Sequence, residues 1–149
     1  MNHFEDDLQK ACVSWFRYQY RRRLIFAVPN GGKRNAREAA RMKDQGVTAG
    51  VPDLCIPEPV NGYHGLWVEL KVGKNKLTEN QSDMIRDLQQ RGYATVVCYS
   101  LEDFQANVRF YFAGGEHGRS EAEEDNTGRV RGAGERAKSK AGEVANVGE

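Results

Sequence analysis

Gly50-Val51-Pro52-Asp53-Leu54-Cys55-Ile56 and the run Leu66-Trp67-Val68-Glu69-Leu70-Lys71-Val72, whose Glu69 lies sixteen residues beyond Asp53, decide how this chain is read. Both are short and rich in β-branched and apolar residues, and Asn61-Gly62 between them is a tight-turn signal, so they read as two strands of one hairpin. Side chains alternate along a strand, which puts Glu69 and Lys71 on one face and Val68, Leu70 and Val72 on the other. The apolar face can enter a core while the opposite face presents a carboxylate beside an ammonium. Antiparallel pairing brings Asp53 towards Glu69. Two converging carboxylates with little compensating charge favour a divalent cation, and their hard oxygens favour Mg²⁺ or Mn²⁺.

Working outward, residues 4–20 read as a helix whose apolar face carries Phe4, Leu8, Ala11/Cys12 and Trp15. Glu5, Asp6 and Asp7 suit its N-terminus, and Asn2 with Glu5 fits a capping box. Leu24-Ile25-Phe26-Ala27-Val28 is a continuous apolar run that reads as a buried strand, ended by Pro29-Asn30-Gly31-Gly32. The Gly31-Gly32-Lys33 that follows lacks the spacing of a P-loop. Its paired glycines would let backbone approach a phosphate closely, with Lys33 and Arg34 alongside. Residues 34–45 read as a basic helix with Ala36, Ala39, Ala40 and Met42 available for packing. Gln45 to Gly50 is the loop that delivers the chain to Asp53, stiffened by Pro52. Gly73-Lys74-Asn75-Lys76 is a basic loop whose lysines either meet phosphates or are solvated. Thr78 to Arg91 is a helix with a Thr78/Gln81 capping box and Gly92 as the residue past its end. Tyr93 to Tyr99 is a strand, and Ser100 caps a last helix to Phe112.

The order helix, strand, helix, strand, strand, helix, strand, helix predicts an α/β domain, a small mixed sheet flanked by helices, over residues 1–112. Composition shifts after Phe112. No aromatic residue follows, and residues 113–149 of the 149 are dominated by Gly, Glu, Ala, Arg and Ser. Such a segment buries too little apolar surface to offset its chain entropy, so a disordered, low-complexity tail is expected.

The formal net charge of +1 conceals an asymmetry. Residues 17–43 hold nine Lys and Arg against one acid, Glu38, a footprint suited to a phosphate backbone. Cys12, Cys55 and Cys98 are odd in number, far apart and without a CxxC pair, so they read as reduced, mostly buried thiols of an intracellular, cytoplasmic protein rather than a zinc site. No run reaches membrane-span length. His3, His64 and His117 have no partner at metal-binding spacing, and no Ser-His-Asp or Cys-His arrangement is evident.

The pattern Pro52-Asp53, spacer, Glu69-Leu70-Lys71 resembles the PD-(D/E)xK nuclease superfamily. Gly46-Val47-Thr48-Ala49-Gly50-Val51-Pro52-Asp53-Leu54, Asn30-Gly31-Gly32-Lys33-Arg34 and Leu77-Thr78-Glu79-Asn80-Gln81 resemble the VRR-NUC branch, over roughly residues 4–111. That branch's Val-Arg-Arg string is not evident. The resemblance implies a restriction-endonuclease-like core and a Mg²⁺-dependent DNA endonuclease, with Mn²⁺ able to substitute. Asp53, Glu69 and the carbonyl of Leu70 would be its metal ligands and Lys71 its catalytic amine. It offers Glu5 as an additional carboxylate against the plain reading of a first-turn acid, and Gln9 more weakly. It offers Gln81 as an orienting group against the plain reading of a cap. Asn30, Lys33, Arg34, Lys74 and Lys76 are the expected DNA contacts. The family further suggests a homodimer acting on branched DNA such as Holliday junctions or flaps, in a repair or phage setting. The alternatives are a restriction-type or general nuclease on duplex or single-stranded DNA, and a silent DNA-binding module.

Overall fold

The computed structural model describes residues 3–29 and 34–117. Helix α1 (His3–Gln19) is followed by β1 (Phe26–Ala27), α2 (Ala36–Asp44), β2 (Leu54–Ile56), β3 (Leu66–Leu70), α3 (Glu79–Gln90), β4 (Ala94–Cys98) and α4 (Leu101–Phe112). The strands form one mixed sheet in the order β1-β2-β3-β4, antiparallel at the first two pairings and parallel at the last. The parallel pair needs a crossover, and α3 supplies it.

Register divides the sheet into two faces. Leu54 opposes Val68, Val68 opposes Val96, and Leu66 and Leu70 oppose Ala94 and Cys98. These residues form the core with Cys12 and Phe16 of α1 and Phe104, Val108 and Tyr111 of α4. Removing this much apolar surface from water is the main force holding the domain together. The other face carries the row Phe26, Cys55, Trp67, Thr95 across all four strands, with Glu69 and Val97 in the next row. There α3 packs through Ile85, and Gln89 Nε2 donates to Thr95 Oγ1 at 2.8 Å.

Several local expectations hold. Asn61 (φ 50°) and Gly62 (φ 80°) form a tight turn closed by the Val60–Tyr63 bridge. Ser100 caps α4 by accepting from the Asp103 N–H. All three cysteines are free and buried.

Others need correction. The apolar run 24–28 is not a buried strand: β1 is a two-residue edge strand, and Leu24 and Phe26 are exposed, leaving Ile25 as the buried residue of the run. Among the described residues β1 pairs on one side only, with β2. The apolar face of α1 is centred on Cys12 and Phe16, whereas Phe4 is 71% exposed. Helix α2 buries none of its residues among the described ones, and Ala36, Ala39 and Ala40 are exposed. Strand β3 stops at Leu70, although the Lys71 N–H still donates to the Cys98 carbonyl at 2.9 Å.

The chain continues packed beyond α4. The Asn61 side chain donates to the Gly114 carbonyl, the Tyr63 hydroxyl donates to the His117 carbonyl, and His117 is itself buried against Phe110 and Tyr111. Residues 118–149 lie outside the described residues, as do Asn30, Lys33 and the Asn2 cap. Among the described residues no helix is long and apolar enough to cross a membrane.

Candidate metal and catalytic centre

Pro52 is fully buried and sets the approach to Asp53, whose carbonyl accepts from the Val28 N–H at 2.8 Å. The Asp53 side chain turns towards β3, where its Oδ2 accepts from the Leu70 N–H at 2.7 Å. Glu69, 3% exposed, lies on the same face of the sheet, and Lys71 follows it two residues on at 8% exposure. Lys71 Nζ is 3.4 Å from Glu69 Oε1. The expected grouping of two acids and an amine is therefore present.

Gln81 links α3 to this group. Its Oε1 accepts from the Thr78 N–H at 2.9 Å, closing the capping box, while its Nε2 donates to Glu69 Oε1 at 2.6 Å. Cap and site are alternative readings of Gln81 in the sequence. In the structure the two ends of one amide serve both, and the helix start is thereby tied to the acid.

The electrostatics are those of a site short of positive charge. Burial, then the Asp53 charge, drive the Glu69 carboxyl up to about 8, against the lowering influence of Lys71. Burial also raises Asp53, opposed by the Leu70 N–H and Lys71. Glu5 adds to both upward shifts, so α1 brings its acid near the pair. Its Oε1 accepts from Asn75 Nδ2 at 3.4 Å, and the Tyr99 hydroxyl donates to the Asn75 carbonyl at 3.2 Å. Sequence reading missed Asn75 and Tyr99, since this contact joins residues seventy positions apart. Gln9 is half-buried on α1, and among the described residues no hydrogen bond ties it to the acids.

Among the described residues no three His, Cys, Asp or Glu side chains converge as a ready-made metal cage. The donor chemistry nevertheless suits a divalent cation. Each acid has one oxygen engaged, Asp53 Oδ2 by Leu70 and Glu69 Oε1 by Gln81 and Lys71. Among the described residues no hydrogen bond engages Asp53 Oδ1 or Glu69 Oε2, which leaves both as hard donors, and Leu70, whose N–H binds Asp53, directly follows Glu69 in the chain. Mg²⁺ or Mn²⁺ would offset the repulsion and desolvation that the protein alone leaves uncompensated.

Of the expected DNA contacts, Arg34 donates to the Pro29 carbonyl at 3.2 Å, and Lys74 and Lys76 stand exposed on the loop after Lys71.

Gly50 fixes the loop that carries Asp53. Its φ is +86°, and a Cβ there would lie 2.2 Å from the backbone oxygen of Asn80, at the start of α3. Gly50→Ala is expected to destabilise the fold by about 1–3 kcal/mol or more, because overpacking and an unfavourable φ act together. It should also slow any reaction at the site by pushing α3 and Gln81 away from Glu69. Urea denaturation followed by circular dichroism checks the first effect, and unchanged stability would contradict the close packing.

Comparison with known proteins bears on this geometry. The family model for the VRR-NUC domain matches residues 4–102. A solved structure described as a VRR-NUC domain protein is 29% identical, with a TM-score of 0.63, and the alignment covers 77% of this chain and 93% of that one. Among curated proteins none matches the chain.

Proposed function

Because the chain belongs to the VRR-NUC family of nuclease domains, we propose that it is a Mg²⁺-dependent endonuclease hydrolysing phosphodiester bonds in DNA. The observation that carries this reading is the Asp53–Glu69 pair, held on one sheet face with Lys71 Nζ 3.4 Å from Glu69. Asp53, Glu69 and the Leu70 carbonyl would hold the ion, with Glu5 the acid available to a second ion or to water beside the first. When bound, the ion supplies Lewis-acid activation of water and neutralisation of charge on the phosphoryl group. The protein's own side chains do the rest. Lys71 orients the attacking water, eases removal of its proton and offers positive charge to the phosphoryl oxygens. Gln81 holds Glu69 in place and links it to α3. Mn²⁺ would substitute for Mg²⁺ because both accept hard oxygen donors.

Within that activity we infer a preference for branched DNA, a Holliday junction or flap, cut by a homodimer that presents two sites. Support comes from the family likeness and from the exposed cations of α2 and of the loop after Lys71, which suit phosphate contacts. The test uses labelled four-way junction, 5′ flap, duplex and single strand of matched sequence, in Mg²⁺, Mn²⁺ or EDTA. Cleavage of junction or flap at least tenfold faster than duplex, abolished by EDTA, is expected. Equal cutting of all four would replace branch selectivity by a general nuclease. Tight binding without cutting in either metal would leave a DNA-binding module. Light scattering at the monomer mass would remove the paired-site arrangement.

A further inference from the structure

The nine cations between residues 17 and 43 do not share one role. Arg23 lies 3.8 Å from Glu58 and over the ring of Phe112, and Arg21 lies over Tyr18. Arg23 thus ties the chain just after α1 to Glu58 and α4, while Arg21 covers a ring of α1 itself. Arg37 and Arg41 differ. They lie one turn apart on α2, about 120° round the helix from the centre of Ala36, Ala39 and Ala40 by helical spacing. Among the described residues neither meets a carboxylate, although Glu38 and Asp44 belong to the same helix. Elsewhere such pairs do form, Arg86 with Asp83 and Arg91 with Asp87.

Helix α2 itself is unusual. It has nine residues, none buried, and only Met42 is even half-buried. Asn35 caps it by accepting from the Glu38 N–H at 2.8 Å. A helix of that length without a packed face is marginal in water, and two like charges one turn apart work against it. Its position is nevertheless constrained. Five residues after the C-cap Gln45, Gly50 abuts Asn80. The end of α2 therefore lies within about 17 Å of the start of α3 even if those residues were fully extended, and Gln81 of α3 touches Glu69.

We propose that the Arg37–Arg41 face of α2 is a docking surface for the sugar-phosphate backbone of duplex DNA flanking the cut. This rests on the nuclease reading and specifies the substrate: a double-stranded arm must reach α2 while the scissile phosphate lies at Asp53 and Glu69. The occupant is chosen by charge complementarity. Phosphates would relieve the Arg37–Arg41 repulsion and give α2 a packing partner, where none of its residues is buried among the described ones.

The test compares wild-type protein, Arg37→Ala/Arg41→Ala and Arg37→Lys/Arg41→Lys. Binding is read by fluorescence anisotropy in an Asp53→Asn background, on a duplex-armed 5′ flap over a range of KCl concentrations. Each cation withdrawn from a phosphate lowers the salt slope by about 0.9. The double alanine variant should therefore show a slope reduced by about 1.8, with Kd raised roughly tenfold or more. With Asp53 intact, KM for the flap should rise while kcat at saturation stays unchanged, and the double lysine variant should recover most of the slope. Alanine favours helix, so circular dichroism should be unaffected. An unchanged Kd and slope in the double alanine variant overturns the proposal, and so does a change in light-scattering mass, which would make the face a contact between copies. If wild-type protein neither binds nor cuts any of the DNAs, the nuclease reading itself fails; if it cuts and the variant's KM is unchanged, only the role of α2 fails.

Discussion

Asp53→Asn and Lys71→Ala are each expected to reduce DNA cleavage by about 10²–10⁴-fold while leaving the domain folded. Asp53→Asn is the more discriminating change. An amide oxygen can still accept from the Leu70 N–H, now 2.7 Å from Oδ2, so β2 and β3 keep their connection. What disappears is the charge, and with it the paired donors for a divalent ion. Lys71→Ala leaves both acids but removes the cation 3.4 Å from Glu69 Oε1. Metal can still enter, yet no amine remains to orient water or face the phosphoryl oxygens. The two variants should therefore separate: Asp53→Asn weakens Mg²⁺ binding as well as turnover, whereas Lys71→Ala loses turnover with Mg²⁺ binding retained or improved. Isothermal titration with Mg²⁺ beside single-turnover cleavage reads both quantities. Cleavage by Asp53→Asn at the wild-type rate would place the chemistry elsewhere.

The acids and the amine are legible in the sequence because each depends on local rules. Alternation along β3 settles which side Glu69 and Lys71 share, and Asn61-Gly62 adopts the positive φ that its turn requires. The Thr78/Gln81 cap is similarly a property of four consecutive residues. What the sequence misleads on depends on partners distant along the chain. Leu24 to Val28 has the composition of a central strand, but position in a sheet is set by which strands pair with it, and among the described residues β1 has a neighbour only in β2. The alanines of α2 read as a packing face because spacing cannot reveal that, among the described residues, the helix buries none of its side chains. The apolar stripe read along α1 includes Phe4 and omits Phe16, and only packing against Phe112 of α4 makes Phe16 the buried one. The Glu5–Asn75 contact is out of reach for the same reason. Gln81 differs: treating a side chain as having one role hides the fact that its oxygen and nitrogen face different partners.

Metal-free protein should lose stability as pH rises from 6 to 8, and Mg²⁺ should restore most at the upper end. The sign follows from Glu69. Its carboxyl is raised from 4.5 to about 8 in the folded chain, so between those values the folded state binds more protons than the unfolded state. The favourable contribution is complete below about 4.5 and is lost as pH climbs through 8. Asp53, raised by burial, acts in the same direction. His117 acts oppositely, since burial lowers its pKa and makes stability fall as pH drops below 6.5. The Glu69→Gln variant isolates the acid, because His117 is common to both proteins. For Glu69 alone the loss from pH 6 to 8 is on the order of 2 kcal/mol, or on the order of 10 °C in Tm for a domain of this size. In EDTA the wild-type Tm should decline over that range, and Glu69→Gln should remove most of the decline. A divalent ion binds the ionised pair, so binding releases protons and gains affinity with pH. Mg²⁺ should accordingly raise the wild-type Tm far more at pH 8 than at pH 5, and raise that of Glu69→Gln much less. Equal Mg²⁺ effects at both pH values, or a pH slope that survives in Glu69→Gln, would mean that the buried acid is not where the ion and the proton compete.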